Sequence, residues 1–259
     1  MKVAHDLIRE IPTIKYNDFV TRARSLLRDD VFREIYVVDD RNRLLGYLDI
    51  TAALKVTDTK SNVTAEGFLE EIASVHPETP LEEVALAIRR SLTNSAAVVD
   101  RDQTVRGGVL LSELFPILIT RHKIRGQVSD YMSRHVVAID PDEQIRKIYP
   151  LIVQSGFVSF PVVRSQEVIG IISRRDILRA GRVRMALKNA ADTTVESIMT
   201  KPVITISPEA STETAAQLMV QYDISLLPVT EDRRIVGIID RHDILNALAI
   251  KEVNHASER

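Results

Sequence analysis

One pattern limits this chain more than any other: a glycine inside an apolar run returns at Gly46, Gly107, Gly170 and Gly237, in steps of 61, 63 and 67 residues. Four earlier segments, IPTIKYNDF, IASVHPETP, VVAIDPDEQ and VITISPEAS, head the copies. Counting 20 positions from Tyr16, Pro77, Pro141 and Pro208 reaches Tyr36, Ala97, Pro161 and Pro228, which open YVVD, AVVD, PVVR and PVTE. All four copies keep this register without a gap, as a structural repeat does.

Between these marks the sequence reads as a helix. Val20, Ala23 and Leu27 recur as Leu81, Val84 and Ile88, as Ile145, Ile148 and Ile152, and as Thr212, Ala215 and Met219. Spacing of i, i+3, i+7 makes one helix face. Pro150 falls inside the third of these helices and is expected to kink it. Two β-type runs follow, joined by the polar turns DDRNR, DRDQT, RSQE and TEDRR, and a second helix is predicted to begin at Ile50, Leu111, Arg174 and Arg241. The fold class is therefore mixed α/β (α+β), in βαββα units over residues 1–60, 61–122, 123–188 and 189–259. A unit this small cannot cover its own sheet, so neighbours should pack sheet to sheet in two pairs. Sequence does not choose between a disc closed within one chain and one closed with a second copy.

Composition removes several functions. With 34 basic and 36 acidic side chains the net charge is -2, which gives no overall pull toward nucleic acid or an anionic membrane. There is no cysteine for thiolate chemistry or a cysteine zinc site, and the six histidines form no HExxH pair. No apolar stretch reaches the roughly 20 residues of a membrane span, and MKVAHDLIRE lacks a signal-like apolar centre, so a cytoplasmic location is expected. Phosphate loops of the GxxxxGK[ST] and GxGxxG types are absent, and no histidine is placed to activate Ser173, so no enzyme is expected.

PVVRSQEVIGIISRRDIL and PVTEDRRIVGIIDRHDIL, with DYMSRHVVAIDPDE and SIMTKPVITISPEA, resemble the CBS domain, and two tandem copies resemble a Bateman module. The first two copies keep the spacing but lose several marked residues. The resemblance implies four CBS units, as in the γ subunit of AMP-activated kinase and free-standing archaeal CBS proteins. It further implies a sensor binding an adenosine-containing ligand, AMP, ADP, ATP or S-adenosylmethionine, with no required cofactor and with output through a protein effector.

By this resemblance the ribose contact is the aspartate six residues after the glycine, Asp176 or Asp243, since a carboxylate can accept from both ribose hydroxyls. An aspartate at a helix start is equally a good cap. Ser173 and Asp240 stand three residues after the glycine, and Asp240 would repel a phosphate, which favours a nucleoside or a cationic ligand there. Arg174, Arg175 and Arg241 could pair with phosphate or stay solvated. Each cleft is expected to take its base-contacting segment from the partner unit. Asp140, Phe157, Val158 and Ser159 would serve the Asp243 cleft; Ser207, Ile224, Ser225 and Leu226 would serve the Asp176 cleft. Plain core packing is the competing reading for the apolar members.

In the first pair the aspartate position holds Ala52 and Glu113, so that pair is expected to be mainly structural. Two alternatives stand beside the sensor: a ligand-free scaffold, and a nucleic-acid binder using Arg164, Arg174, Arg175, Arg179, Arg182, Arg184 and Lys188.

Overall fold

The computed structural model describes residues 2–29, 32–56, 61–155, 157–179 and 193–250. The first unit runs β1 (Thr13–Lys15), α1 (Val20–Asp29), β2 (Glu34–Val38), β3 (Leu44–Asp49) and α2 (Ile50–Lys55). The second repeats this as β4 (Ser74–Val75), α3 (Leu81–Ser91), β5 (Ser95–Val99), β6 (Val105–Leu110) and α4 (Leu111–Arg121). A short helix α5 (Val128–Tyr131) leads to the third unit, with α6 (Ile145–Gln154), β7 (Ser159–Arg164), β8 (Glu167–Ser173) and α7 (Arg174–Arg179). The fourth has α8 (Thr212–Gln221), β9 (Leu226–Glu231), β10 (Arg234–Asp240) and α9 (Arg241–Ala247).

All four second helices start where the repeat places them. All twelve positions of the first-helix face are buried. α6 runs through Pro150 without ending. The opening strand is shorter than the repeat suggests: β1 and β4 pair in parallel with β2 and β5, but in the last two units it shrinks to the single bridges Ile139–Val162 and Ile206–Val229.

Paired units exchange their leading segments. Arg9, ahead of the first unit, pairs with Gly108 of the second, and Glu70, ahead of the second, pairs with Tyr47 of the first. Ser133 likewise pairs with Ile238 and Thr200 with Ile171. These crossings explain the repeated glycine. A Cβ on Gly46 would lie 2.4 Å from the Glu70 carbonyl oxygen, and one on Gly170 would lie 2.2 Å from Met199 Sδ. At the hairpin ends the sheets meet edge to edge, through Arg43 and Thr104 in one module and Glu167 and Arg234 in the other.

The two modules pack through their helices. One core joins α1 and α2 to α6 and α7, including Leu27, Leu54, Ile148 and Ile177; the other joins α3 and α4 to α8 and α9, including Ile88, Phe115, Met219 and Leu245. A third cluster, with Tyr36, Val38, Ala97 and Val99, lies between the sheets of the first module. The helix faces are therefore covered within one chain.

Candidate functional site

Two helix starts in the second module share a local design. β8 passes directly into α7, and β10 into α9, so the last strand residue caps the helix. Asp176 Oδ2 accepts from the Ser173 amide at 2.8 Å and from its hydroxyl at 2.6 Å. Asp243 Oδ2 accepts from the Asp240 amide at 2.9 Å, while Asp240 Oδ1 accepts from the Asp243 amide at 3.0 Å. Capping is thus real at both. The amide and hydroxyl bonds fall on one oxygen of Asp176 and one of Asp243, and all four residues are half-buried. Burial, and next to it the Asp240 charge, pushes the Asp243 carboxyl up to about 7.

Hinged to these starts are the segments ahead of β7 and β9. The Val158 carbonyl accepts from the Arg174 amide at 3.1 Å, and the Ser225 carbonyl from the Arg241 amide at 3.1 Å. Ser159 lies opposite Ser173 and Leu226 opposite Asp240. Residues 133–135 link the partner units: Ser133 pairs with Ile238, two residues before Asp240, and the His135 ring stands 5.8 Å from that of Phe157. Three residues reach about 10 Å, so Phe157 and Val158 are tied near the strand that carries Asp240. Phe157 meets Phe160 edge-on at 6.2 Å, and Val158 remains 49% exposed. Thr200 makes the matching bridge to Ile171 of β8.

Asp140 and Ser207 lie away from the helix starts that carry Asp176 and Asp243. Each follows a residue in parallel pairing with β7 or β9, so the chain runs toward the hairpin end, level with Val163 and Thr230. That is four residues, about 13 Å, from the cleft end of the strand. Both side chains instead close local turns, to the amides of Asp142 at 2.8 Å and Glu209 at 3.2 Å. Sequence spacing recorded their distance along the chain but not the direction of the strand. In the exchanged leaders Val136 and Val203 are half-buried.

Arg174 and Arg241 also depart from the phosphate-contact expectation. They are 5% and 7% exposed and turn into the helix interface. Arg174 Nε donates to the Ile152 carbonyl at 3.0 Å, and its Nη1 bonds the Thr51 hydroxyl of α2. The Arg241 guanidinium lies 5.5 Å over the Phe115 ring of α4 and reaches the Met219 carbonyl and Asp223 at 3.4 Å. Burial holds both below the usual arginine range.

Arg33 is the residue that repeat reading missed. It stands three places before Tyr36, the counterpart of Val158, and its Nη2 donates to Ser225 Oγ of the fourth unit at 2.9 Å. Burial and Arg241 lower its pKa, against the charges of Glu34, Asp240 and Asp223. Counting back from Tyr36 would have found the cation, but only the packing of the modules shows its destination.

The corresponding positions of the first module carry other side chains. Ala52 is buried, and Glu113 accepts from Arg9 Nε at 2.7 and 2.9 Å. Between the two units Glu34 accepts from the Asn94 amide at 2.6 Å and the Ser95 hydroxyl at 2.5 Å, and the Tyr36 hydroxyl bonds Ser95 at 3.0 Å. Burial raises the Glu34 carboxyl above its usual range.

Of the basic stripe of the third unit, the three described side chains are engaged within the protein itself. Arg164 pairs with Glu196 at 2.7 Å and Asp142 at 3.3 Å, Arg174 is buried, and Arg175 donates to the Phe32 carbonyl at 3.1 Å. Arg182, Arg184, Lys188 and the Arg179 side chain lie outside the described residues. No helix among the described residues is long and apolar enough to cross a membrane.

Comparison with known proteins agrees with this architecture. The CBS domain family matches residues 3–57, 128–182 and 195–250. Protein MJ1225 of Methanocaldococcus jannaschii is 25% identical, over 96% of this chain and 98% of its own. Its crystal structure, described as that of a candidate archaeal homologue of g-AMPK, superposes with a TM-score of 0.79 at 20% identity over 95% of this chain and 99% of that one. A conserved uncharacterized protein from Pyrococcus horikoshii gives 0.63 at 19% identity, over 95% and 99%. MJ1404 of M. jannaschii is 22% identical over 94% of this chain, which spans 61% of that relative. The second unit falls outside the matched stretches yet repeats the same elements, and with more than half of its residues matched the chain belongs to the CBS domain family.

Proposed function

We propose that this protein is a non-catalytic, cytoplasmic regulatory sensor that binds an adenosine-containing ligand, AMP, ADP, ATP or S-adenosylmethionine, in the clefts of its C-terminal module. It requires no cofactor and signals through a protein effector. The supporting observation is the contrast between modules. Asp176 and Asp243 are half-buried at their helix starts and Phe157, Val158 and Ile224 are partly exposed on the segments ahead of β7 and β9, whereas Ala52 is buried and Glu113 is paired with Arg9. The base would lie on the apolar segment and the ribose hydroxyls would donate to the aspartate. Arg33, beside the fourth unit, supplies a positive charge that Val158 and Ser225 lack at the same repeat position. Ligand binding at a helix start would shift packing between modules, and an effector that prefers one packing would read the shift.

Calorimetry with AMP, ADP, ATP and S-adenosylmethionine tests this reading. Asp176→Ala and Asp243→Ala should each remove or weaken one binding event at least tenfold. Equal binding by the wild type and both variants refutes the site assignment.

A further inference from the structure

One short segment of the first module, Phe32-Arg33-Glu34, meets all three other units. From the third unit, Arg175 Nη2 donates to the Phe32 carbonyl at 3.1 Å, next to the bond from Arg174 to Thr51 of α2. Toward the fourth, Arg33 Nη2 donates to Ser225 Oγ at 2.9 Å. Toward the second, Glu34 accepts from the Asn94 amide at 2.6 Å and from the Ser95 hydroxyl at 2.5 Å. We propose that Phe32, Arg33 and Glu34 couple the two C-terminal helix starts to each other and to the pairing of the first two units, which makes the first module an internal reader of the second. That ligand occupancy is what is read rests on the function proposed above.

Three consecutive residues span about 10 Å at most, so a shift at one of these contacts passes to the others through the backbone. Glu34 makes the segment stiff. It opens β2, is 5% exposed, and holds a donor from the second unit on each carboxylate oxygen. Stripping a buried carboxylate of a donor is costly, so Glu34 and its partners move together. Glu34 and Ser95 occupy the same repeat position, two before Tyr36 and Ala97, and their bond joins the two units of the first module. The second module has Ser159 and Leu226 there, and a leucine side chain cannot make such a bond. At the far end, the Ser225 hydroxyl accepts from Arg33 while its carbonyl accepts from the Arg241 amide at the start of α9. Arg175 directly precedes Asp176 in α7. A base lying on residues 224–226 turns the Ser225 hydroxyl away from Arg33, so this contact differs between the empty and the occupied state. That difference is the free energy available for coupling.

Contacts along a path show adjacency, and coupling is measured between its ends. In hydrogen exchange of the unliganded full chain, Ser225→Ala should speed the Asn94 amide of the second unit roughly threefold or more, relative to the amides of α3. Ser95→Ala should do the same for the Arg241 amide of the fourth unit, relative to those of α8. Effects confined to the unit that carries the substitution overturn the coupling. Arg175→Met reaches the segment from the third unit and should speed both amides, so the test stands where a serine variant does not fold; no change at either amide overturns the coupling. In urea unfolding, the midpoint losses of Ser95→Ala and Ser225→Ala should fail to add in the wild-type chain and should add in Arg33→Ala. Additive losses in both backgrounds overturn it. Saturating AMP or S-adenosylmethionine, whichever calorimetry shows to bind, should change the Asn94 exchange rate in the wild type and not in Arg33→Ala. A bound ligand that leaves the wild-type rate unchanged overturns the reading role. If neither compound binds, the sensor reading fails for both, while the exchange and urea results still decide whether the segment couples the units.

Discussion

At the scale of single residues, neighbours in sequence have opposite surroundings. Asp240 and Asp243 stay half-buried, while Arg241 between them enters the helix interface, because a helix start turns successive side chains about 100° apart. A carboxyl raised to about 7 when folded binds its proton more readily in the native state. Its stabilising contribution is therefore present below pH 4 and is lost as pH rises toward and through 7. Asp243→Asn keeps a cap acceptor without the charge. Its melting temperature should exceed the wild type's at pH 8, and the gap should shrink by pH 5 in paired thermal melts. Arg241→Ala removes the stack on Phe115 and the packed stem, so urea unfolding should show a loss of roughly 1–3 kcal/mol. Arg241→Lys, with a hydrated point charge in place of the planar group, should recover only part of it.

At the scale of elements, the repeat was legible because it is local. Helix faces and helix starts follow from periodicity and capping chemistry, and these place Val20 to Met219 and Ile50 to Arg241 where the structure has them. The leaders were not legible, since bridges such as Arg9–Gly108 and Thr200–Ile171 depend on a partner unit distant along the chain. Their trace in the sequence is the glycine mark. Gly46→Ala should cost more than Gly170→Ala, because its Cβ meets a backbone carbonyl fixed in a bridge whereas the other meets a methionine that can partly move aside. Chemical denaturation of the two variants, with a larger midpoint loss for Gly46→Ala, checks the ranking.

At the scale of the whole molecule, each helical core draws residues from both modules, so neither module can unfold and leave the other's core intact. Scanning calorimetry should give one cooperative transition for the full chain. Replacing Arg174 and Arg241 together with alanine should broaden it or split it in two. The sequence by itself determined the unit: strand, helix, hairpin and helix, four times, with Ser173, Asp176, Asp240 and Asp243 at helix starts. Those features depend on backbone preference and on which side of a helix is apolar, which neighbouring residues settle among themselves. Only the tertiary structure decided that the modules close within one chain, that Arg33 reaches Ser225, that Arg174 and Arg241 face the interface, and that Asp140 and Ser207 lie at the far end of their strands. The direction of a strand and the choice of partner are set by surfaces that meet only after the chain has folded.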